Sequence, residues 1–280
     1  MKKLLLMVIA VTVFASCSLA TMEVRSKGVM LEDDTVIHYL EAGQGPTLIL
    51  IHGIGGSSAS WRDVIPSLSK AYRVIALDLP GYGKSDRPRV DYSVEYYATV
   101  LKHTIDAVGG DRVALVGNSL GGWIAAVTAL NHPQSVSHLI LVDSAGLKGD
   151  PPPSVNLDPA TQKEFEVLLQ AFYHDTTRLT TEFVDNEWKY RKSVRRTIQE
   201  TMKSLNTKSP SLDGRLRGIK APTLVIWGKQ DKLIPVEVAG RFAKGIPTST
   251  VTIIDNAGHM PHIEQPKAFY RSVKKFVKSW

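Results

Sequence analysis

A single cysteine, Cys17, stands in 280 residues, so no disulfide can form within the chain. There is no Cys/His cluster and no H-E-x-x-H helix, which removes the usual signatures of zinc chemistry. The glycine-rich stretch His52–Gly56 lacks the Lys-Ser/Thr pair of a P-loop, so it does not read as a phosphate cradle. Neither metal nor organic cofactor is expected. Internal repeats and low-complexity tracts are missing too. Acidic residues are the scarcer sign: 27 Asp and Glu against 34 Lys and Arg leave a net charge of +7. The basic excess is scattered apart from Lys189–Arg196, which reads as one solvated helix face, so no nucleic-acid partner is expected. With 43% hydrophobic and 22% charged residues, the chain can bury the core of one α/β domain with room for an inserted subdomain.

The N-terminus has a pattern of its own. Met1-Lys2-Lys3 is basic, and Leu4–Phe14 is apolar but too short to span a bilayer as a helix. Together they suit a signal peptide over residues 1–20. Phe14-Ala15-Ser16-Cys17 resembles a bacterial lipoprotein cleavage box, in which the cysteine becomes the lipidated N-terminus. An ordinary secretory cut after Ala20 and a retained anchor are the alternatives. Each places the protein in the periplasm or at the envelope, with membrane anchoring through Cys17 on the first reading.

Beyond Thr21, apolar runs alternate with helical stretches. Gly28–Met30 and Thr35–Glu41 suggest an opening antiparallel hairpin. Thr47–Ile51, Arg73–Asp78, Arg112–Gly117, Leu139–Asp143, Thr223–Gly228 and Thr250–Ile254 read as strands, most of them buried on both faces. Helices are expected over Trp61–Lys70, Ser93–Val108, Leu120–Asn131, Val236–Lys244 and Pro266–Trp280. This alternation predicts an α/β fold, a mostly parallel open sheet with helices on both faces. The stretch 146–217 holds no good core strand and is too long for a crossover. It reads as a helical cap (Thr161–Tyr173, Thr180–Tyr190, Ser193–Ser204) inserted between core segments 21–145 and 218–280. Trp188, Phe165, Phe172 and Tyr173 either line a pocket beneath it or pack its helices.

Gly117-Asn118-Ser119-Leu120-Gly121 fits G-x-S-x-G, and its position carries the argument. It follows a buried strand and opens an apolar helix, the context of a nucleophile elbow. A serine hydroxyl needs a base. His259 follows the last core strand, at the sheet edge where Ser119 also lies; His262 is the runner-up. The base needs a carboxylate to hold its tautomer. Asp231 follows the fifth core strand, and Asp143 at the end of the fourth competes with it. Asp78 reads as part of a structural turn, and His52 as a structural hydrogen-bonding residue.

Taken together, these motifs resemble the α/β-hydrolase superfamily from about Val29 to Trp280. The resemblance implies an oxyanion hole built from the backbone N–H groups of Ile54 and Leu120. Gly117–Gly122 with Leu141–Gly146 looks most like bacterial exported lipases and carboxylesterases, and also like carbon–carbon hydrolases of ring-fission products. Those hydrolases usually carry Trp after the histidine, where this chain has Met260. The expectation is therefore a carboxylesterase or lipase acting on a small hydrophobic ester. A carbon–carbon, amide or lactone hydrolase on the same triad is the alternative, and a non-catalytic ligand-binding protein is a third reading.

Overall fold

The computed structural model describes residues 23–108, 110, 112–148 and 155–277. The expected signal segment 1–20, with Cys17, lies outside them. Eight strands form one sheet: β1 (Arg25–Met30), β2 (Val36–Ala42), β3 (Thr47–Ile51), β4 (Arg73–Leu77), β5 (Val113–Asn118), β6 (Val136–Val142), β7 (Thr223–Gly228) and β8 (Ser249–Ile254). Their order is β1-β2-β4-β3-β5-β6-β7-β8. β2 runs antiparallel to both its neighbours, and β3 to β8 are mutually parallel.

Burial follows position in the sheet. Every residue of the central strands β3, β5 and β7 is buried, whereas the edge strands β1 and β8 are largely open. Strand periodicity divides the central side chains between two cores. Ile49, Ile51 and Leu115 join one, with α2 (Val94–Val108) and α3 (Leu120–Asn131). Leu48, Leu50, Ala114 and Val116 join the other, beneath α1 (Ile65–Leu68) and the C-terminal helix Pro266–Phe276.

Two helical expectations need correcting. Trp61–Lys70 is not one helix. A 3₁₀ turn over Ser58–Trp61 is followed by the single turn α1, where Pro66 has no N–H to extend a ladder from upstream. In the insert, α4 (Gln162–Phe172) is followed by one long helix, α5 (Thr181–Thr207), rather than two. No glycine or proline interrupts Tyr190–Ser193, and α5 buries Val184, Arg191, Val194, Ile198 and Thr201 along one stripe. Then come α6 (Glu237–Gly245), α7 (Pro261–Glu264) and α8 (Pro266–Phe276). Among the described residues no helix is long and apolar enough to cross a membrane.

Candidate active site

Ser119 occupies the turn between β5 and α3 with φ 55° and ψ −120°. A left-handed φ is costly for a non-glycine residue and persists only where neighbours over-determine it. They do so here. The Ser119 N–H donates to Val142 O (3.0 Å), and its carbonyl accepts from Gly122, Trp123 and Ala145. A side chain at Gly121 would collide with the carbonyl of Ile51, so the turn can sit against β3 only with glycine there. Asn118 Nδ2 donates to Val142 O (3.2 Å) and to His259 O (3.1 Å), tying the elbow to the histidine loop. That role of Asn118 was not apparent from the motif, in which its position is variable.

His259 and Asp231 meet at the same edge. His259 Nδ1 lies 2.7 Å from Asp231 Oδ2, both groups almost fully buried. Asp231 Oδ1 accepts from the N–H groups of Leu233 (2.7 Å) and Ile234 (3.0 Å), which leaves its other oxygen for the imidazole. The cap holds the histidine too. The His259 N–H donates to Phe172 O (2.8 Å), and the Phe172 ring stacks on the imidazole at 5.8 Å. Glu264 accepts from the N–H groups of Gly258 (2.6 Å), His174 (2.8 Å) and Asp175 (2.9 Å), fastening the histidine loop to the end of α4.

The competing residues make other contacts. Asp143 is fully buried and accepts from Gly228 N–H (2.9 Å). His262 is buried against Trp61, with ring centroids 4.2 Å apart, and burial lowers its pKa to about 3. Asp78 accepts from Ser58 N (2.6 Å) and Lys84 N (2.9 Å) and lies 2.7 Å from His38, a structural turn as expected. His52 is also structural: Nδ1 donates to Gly53 O (2.7 Å) and Nε2 accepts from Leu79 N–H (3.0 Å). Asp143, Asp231 and His259 each present a possible ligand atom within 4.8 Å of the others. The imidazole and one Asp231 oxygen are already engaged with each other, so the set reads as a histidine–carboxylate pair with a second buried carboxyl beside it.

Two chambers meet at Ser119 and His259. One, about 410 Å³, is lined by Gly53–Ser57, Tyr190, Arg191, Glu187, Phe165 and Met260. The other, about 480 Å³, is lined by Leu120, Trp123, Leu147, Leu157, Met202, Leu205 and Ile234. Ile54 borders both, and Leu120 opens α3, where its N–H has no intrahelical acceptor. Phe165, Phe172 and Tyr173 line the first chamber, whereas Trp188 packs on Phe165 at 5.5 Å.

Arg191 corrects the reading of Lys189–Arg196 as a solvated face. It is 6% exposed, its guanidinium donates to Leu157 O and lies 5.5 Å from the Phe165 ring, and it packs against Gly55. Burial lowers its pKa to about 10, which leaves it cationic at neutral pH. Its sequence signal was the spacing to Val184, Val194 and Ile198, which places it on the buried stripe of α5.

A family model described as Alpha/beta hydrolase family matches residues 48–272. Among curated proteins, the 2-hydroxy-6-oxo-6-(2'-aminophenyl)hexa-2,4-dienoic acid hydrolase of Metapseudomonas resinovorans is 34% identical over 254 residues, 85% of this chain and 86% of that one. A 2-hydroxy-6-oxononadienedioate/2-hydroxy-6-oxononatrienedioate hydrolase of Paraburkholderia phymatum is 33% identical over 263 residues, 86% of this chain and 90% of that one. Among solved structures, a membrane phospholipase A described as a bacterial virulence factor superposes with a TM-score of 0.84 at 29% identity, covering 91% of this chain and 86% of that one. The scaffold is thus shared across chemistries, and the curated relatives point to one of them. The substrates they are named for contain no ester linkage, which overturns the carboxylesterase or lipase expectation and favours the alternative read beside it. The absence of Trp at Met260 carried too much weight; Met260 simply lines the first chamber.

Proposed function

Because the chain belongs to the alpha/beta hydrolase family, we propose that it hydrolyses the carbon–carbon bond beside the ketone of a 2-hydroxy-6-oxo dienoate. The observation that carries this reading is Arg191: a buried cation opening into the chamber beside Ser119, where a substrate carboxylate can pair with it. A hydroxy-oxo-dienoate has no carbon–oxygen bond that hydrolysis would split. Its ketone is the electrophile, and the bond to the neighbouring carbon is the one to break.

In this mechanism Ser119 Oγ attacks the ketone carbon while His259 takes its proton. Asp231 holds the imidazole through Nδ1 and stabilises the imidazolium. The N–H groups of Ile54 and Leu120 receive the oxyanion. Collapse needs a leaving carbon that can bear an electron pair. In the keto tautomer of the substrate that pair spreads through the double bond onto the 2-oxo oxygen, close to the carboxylate held by Arg191. His259 returns its proton to that fragment, which leaves as a hydroxy-dienoate. The acyl group stays on Ser119, and water deprotonated by His259 releases it as a carboxylic acid. The dienoate end occupies the Arg191 chamber, and the acyl end occupies the apolar chamber lined by Leu147, Met202 and Leu205.

The test follows the dienolate absorbance of 2-hydroxy-6-oxo-6-phenylhexa-2,4-dienoate together with its products. Stoichiometric benzoate and hydroxy-dienoate from the wild type, and neither from Ser119→Ala, is the expected outcome. Intact substrate after prolonged incubation with enzyme that a fluorophosphonate labels would overturn it. From residues 1–20 alone we further propose export and lipidation at Cys17. Labelled palmitate should enter the wild type and not Cys17→Ser.

A further inference from the structure

Asp143 is a second carboxyl at the triad, one that the mechanism above leaves unused. It follows β6, has no exposed surface, and holds a left-handed φ of 45°. Oδ1 accepts from Gly228 N–H at 2.9 Å, while Oδ2 is buried with no hydrogen-bond partner among the described residues. Atoms of Asp143, Asp231 and His259 lie within 4.8 Å of one another. Asp231 already receives two backbone N–H groups and the imidazole, so it is the anion of the set. Two buried carboxylates at this range cannot both ionise without severe repulsion.

We propose that Asp143 is held as the neutral acid and positions the triad, its O–H turned to the Asp231 carboxylate. Burial first, then the Asp231 charge, hold the Asp143 carboxyl well above the usual carboxylate range, with Glu264 adding to the effect. The groups facing it are Asp231, His259 and Glu264. A neutral donor on Asp231 fixes that side chain and tempers its negative charge. It also leaves a reserve. When Asp231 is made neutral, Asp143 releases its proton to solvent and becomes the carboxylate that faces the imidazole.

This inference rests on the triad reading, so its test uses the pH dependence of fluorophosphonate labelling at Ser119. Labelling needs the triad but no carbon–carbon substrate, so the two readings fail separately. Asp143→Leu should label about 10-fold more slowly even where His259 is unprotonated, because an Asp231 no longer fixed by Asp143 orients the imidazole less well. Its acidic limb should move to higher pH, because an untempered Asp231 stabilises the imidazolium more strongly. Asp143→Asn, which retains a neutral donor, should recover most of that rate. Asp231→Asn should label at least about 10-fold faster than the Asp231→Asn/Asp143→Asn double variant, because only the single variant keeps a carboxylate at the histidine. An infrared difference spectrum between wild type and Asp143→Asn at neutral pH should show the carbonyl stretch of a protonated carboxyl. Absence of that band, or equal labelling by Asp231→Asn and the double variant, would overturn the proposal. If Asp143→Leu does not fold, those two measurements still decide.

Discussion

The two chambers at Ser119 share Ser119, His259, Ile54 and Phe172 but differ in the rest of their walls. The Arg191 chamber has glycine-loop backbone, a buried cation and polar side chains. The opposite chamber is walled mainly by Leu147, Leu157, Met202, Leu205 and Ile234, with Lys148, Asn206, Ser209 and Ser211 also lining it. A symmetric pocket would accept either end of a substrate at either side. On the proposed reaction, this one distinguishes a charged end from an apolar one, and so sets which carbon faces Ser119. Orientation comes from the difference between the chambers, because a buried Arg left without its anion is costly whereas an apolar wall merely loses contact.

The largest effect should come from removing the cation. Arg191→Gln is expected to lower kcat/KM for a 2-hydroxy-6-oxo dienoate about 100- to 1000-fold, the cost of truncating a buried charge pair. For the methyl ester of the same acid, which has no carboxylate, the loss should stay within a few-fold. Equal losses on both substrates would mean that Arg191 serves the cap alone, through Leu157 and Phe165. A smaller effect should follow from charging the apolar side. Leu205→Glu should lower kcat/KM for a phenyl ketone about 10-fold, through desolvation of the new carboxylate. A substrate ending in an alkyl ammonium should lose less. Matching losses would show that the acyl end does not reach Leu205.

The third effect is on stability and concerns a group outside both chambers. His262 is buried beside Trp61 with its pKa depressed to about 3, by burial first and then by His259. The unfolded chain therefore binds a proton at a pH where the folded chain does not. Stability should be intact above the ordinary histidine pKa, fall as pH drops below about 6.5, and level off near the folded value. At pH 5 the loss amounts to roughly 2 kcal/mol. Urea midpoints of wild type and His262→Leu between pH 7 and 5 check this. The wild type should lose more, and parallel curves would assign the acid sensitivity to another group.

How much of this was legible in the sequence depended on the kind of signal. Buried parallel strands read as unbroken apolar runs, so Thr47–Ile51 and Thr223–Gly228 match the observed strands residue for residue. Ser119 was legible because its motif falls between a strand and a helix, and His259 and Asp231 because they follow strands ending at the same edge. Arg191 was not, because a cation inside Lys189–Arg196 looks like solvated surface until the stripe from Val184 to Ile198 is counted. The cap helices merged for a related reason: a basic surface hid the continuous buried side of α5. The bond cleaved was hidden as well. A triad is common to many chemistries, and the discriminating groups come from α5, over a hundred residues away from the His52–Gly56 loop in some contacts, as with Tyr190 Oη on Gly56 O.

Whether this triad cuts a carbon–carbon bond in a substrate oriented by its carboxylate is tested most directly by wild-type kcat/KM for 2-hydroxy-6-oxo-6-phenylhexa-2,4-dienoate against p-nitrophenyl butyrate. The first value should exceed the second by about 100-fold or more, since only the dienoate engages both chambers. Rapid turnover of the ester with none of the dienoate would contradict the claim.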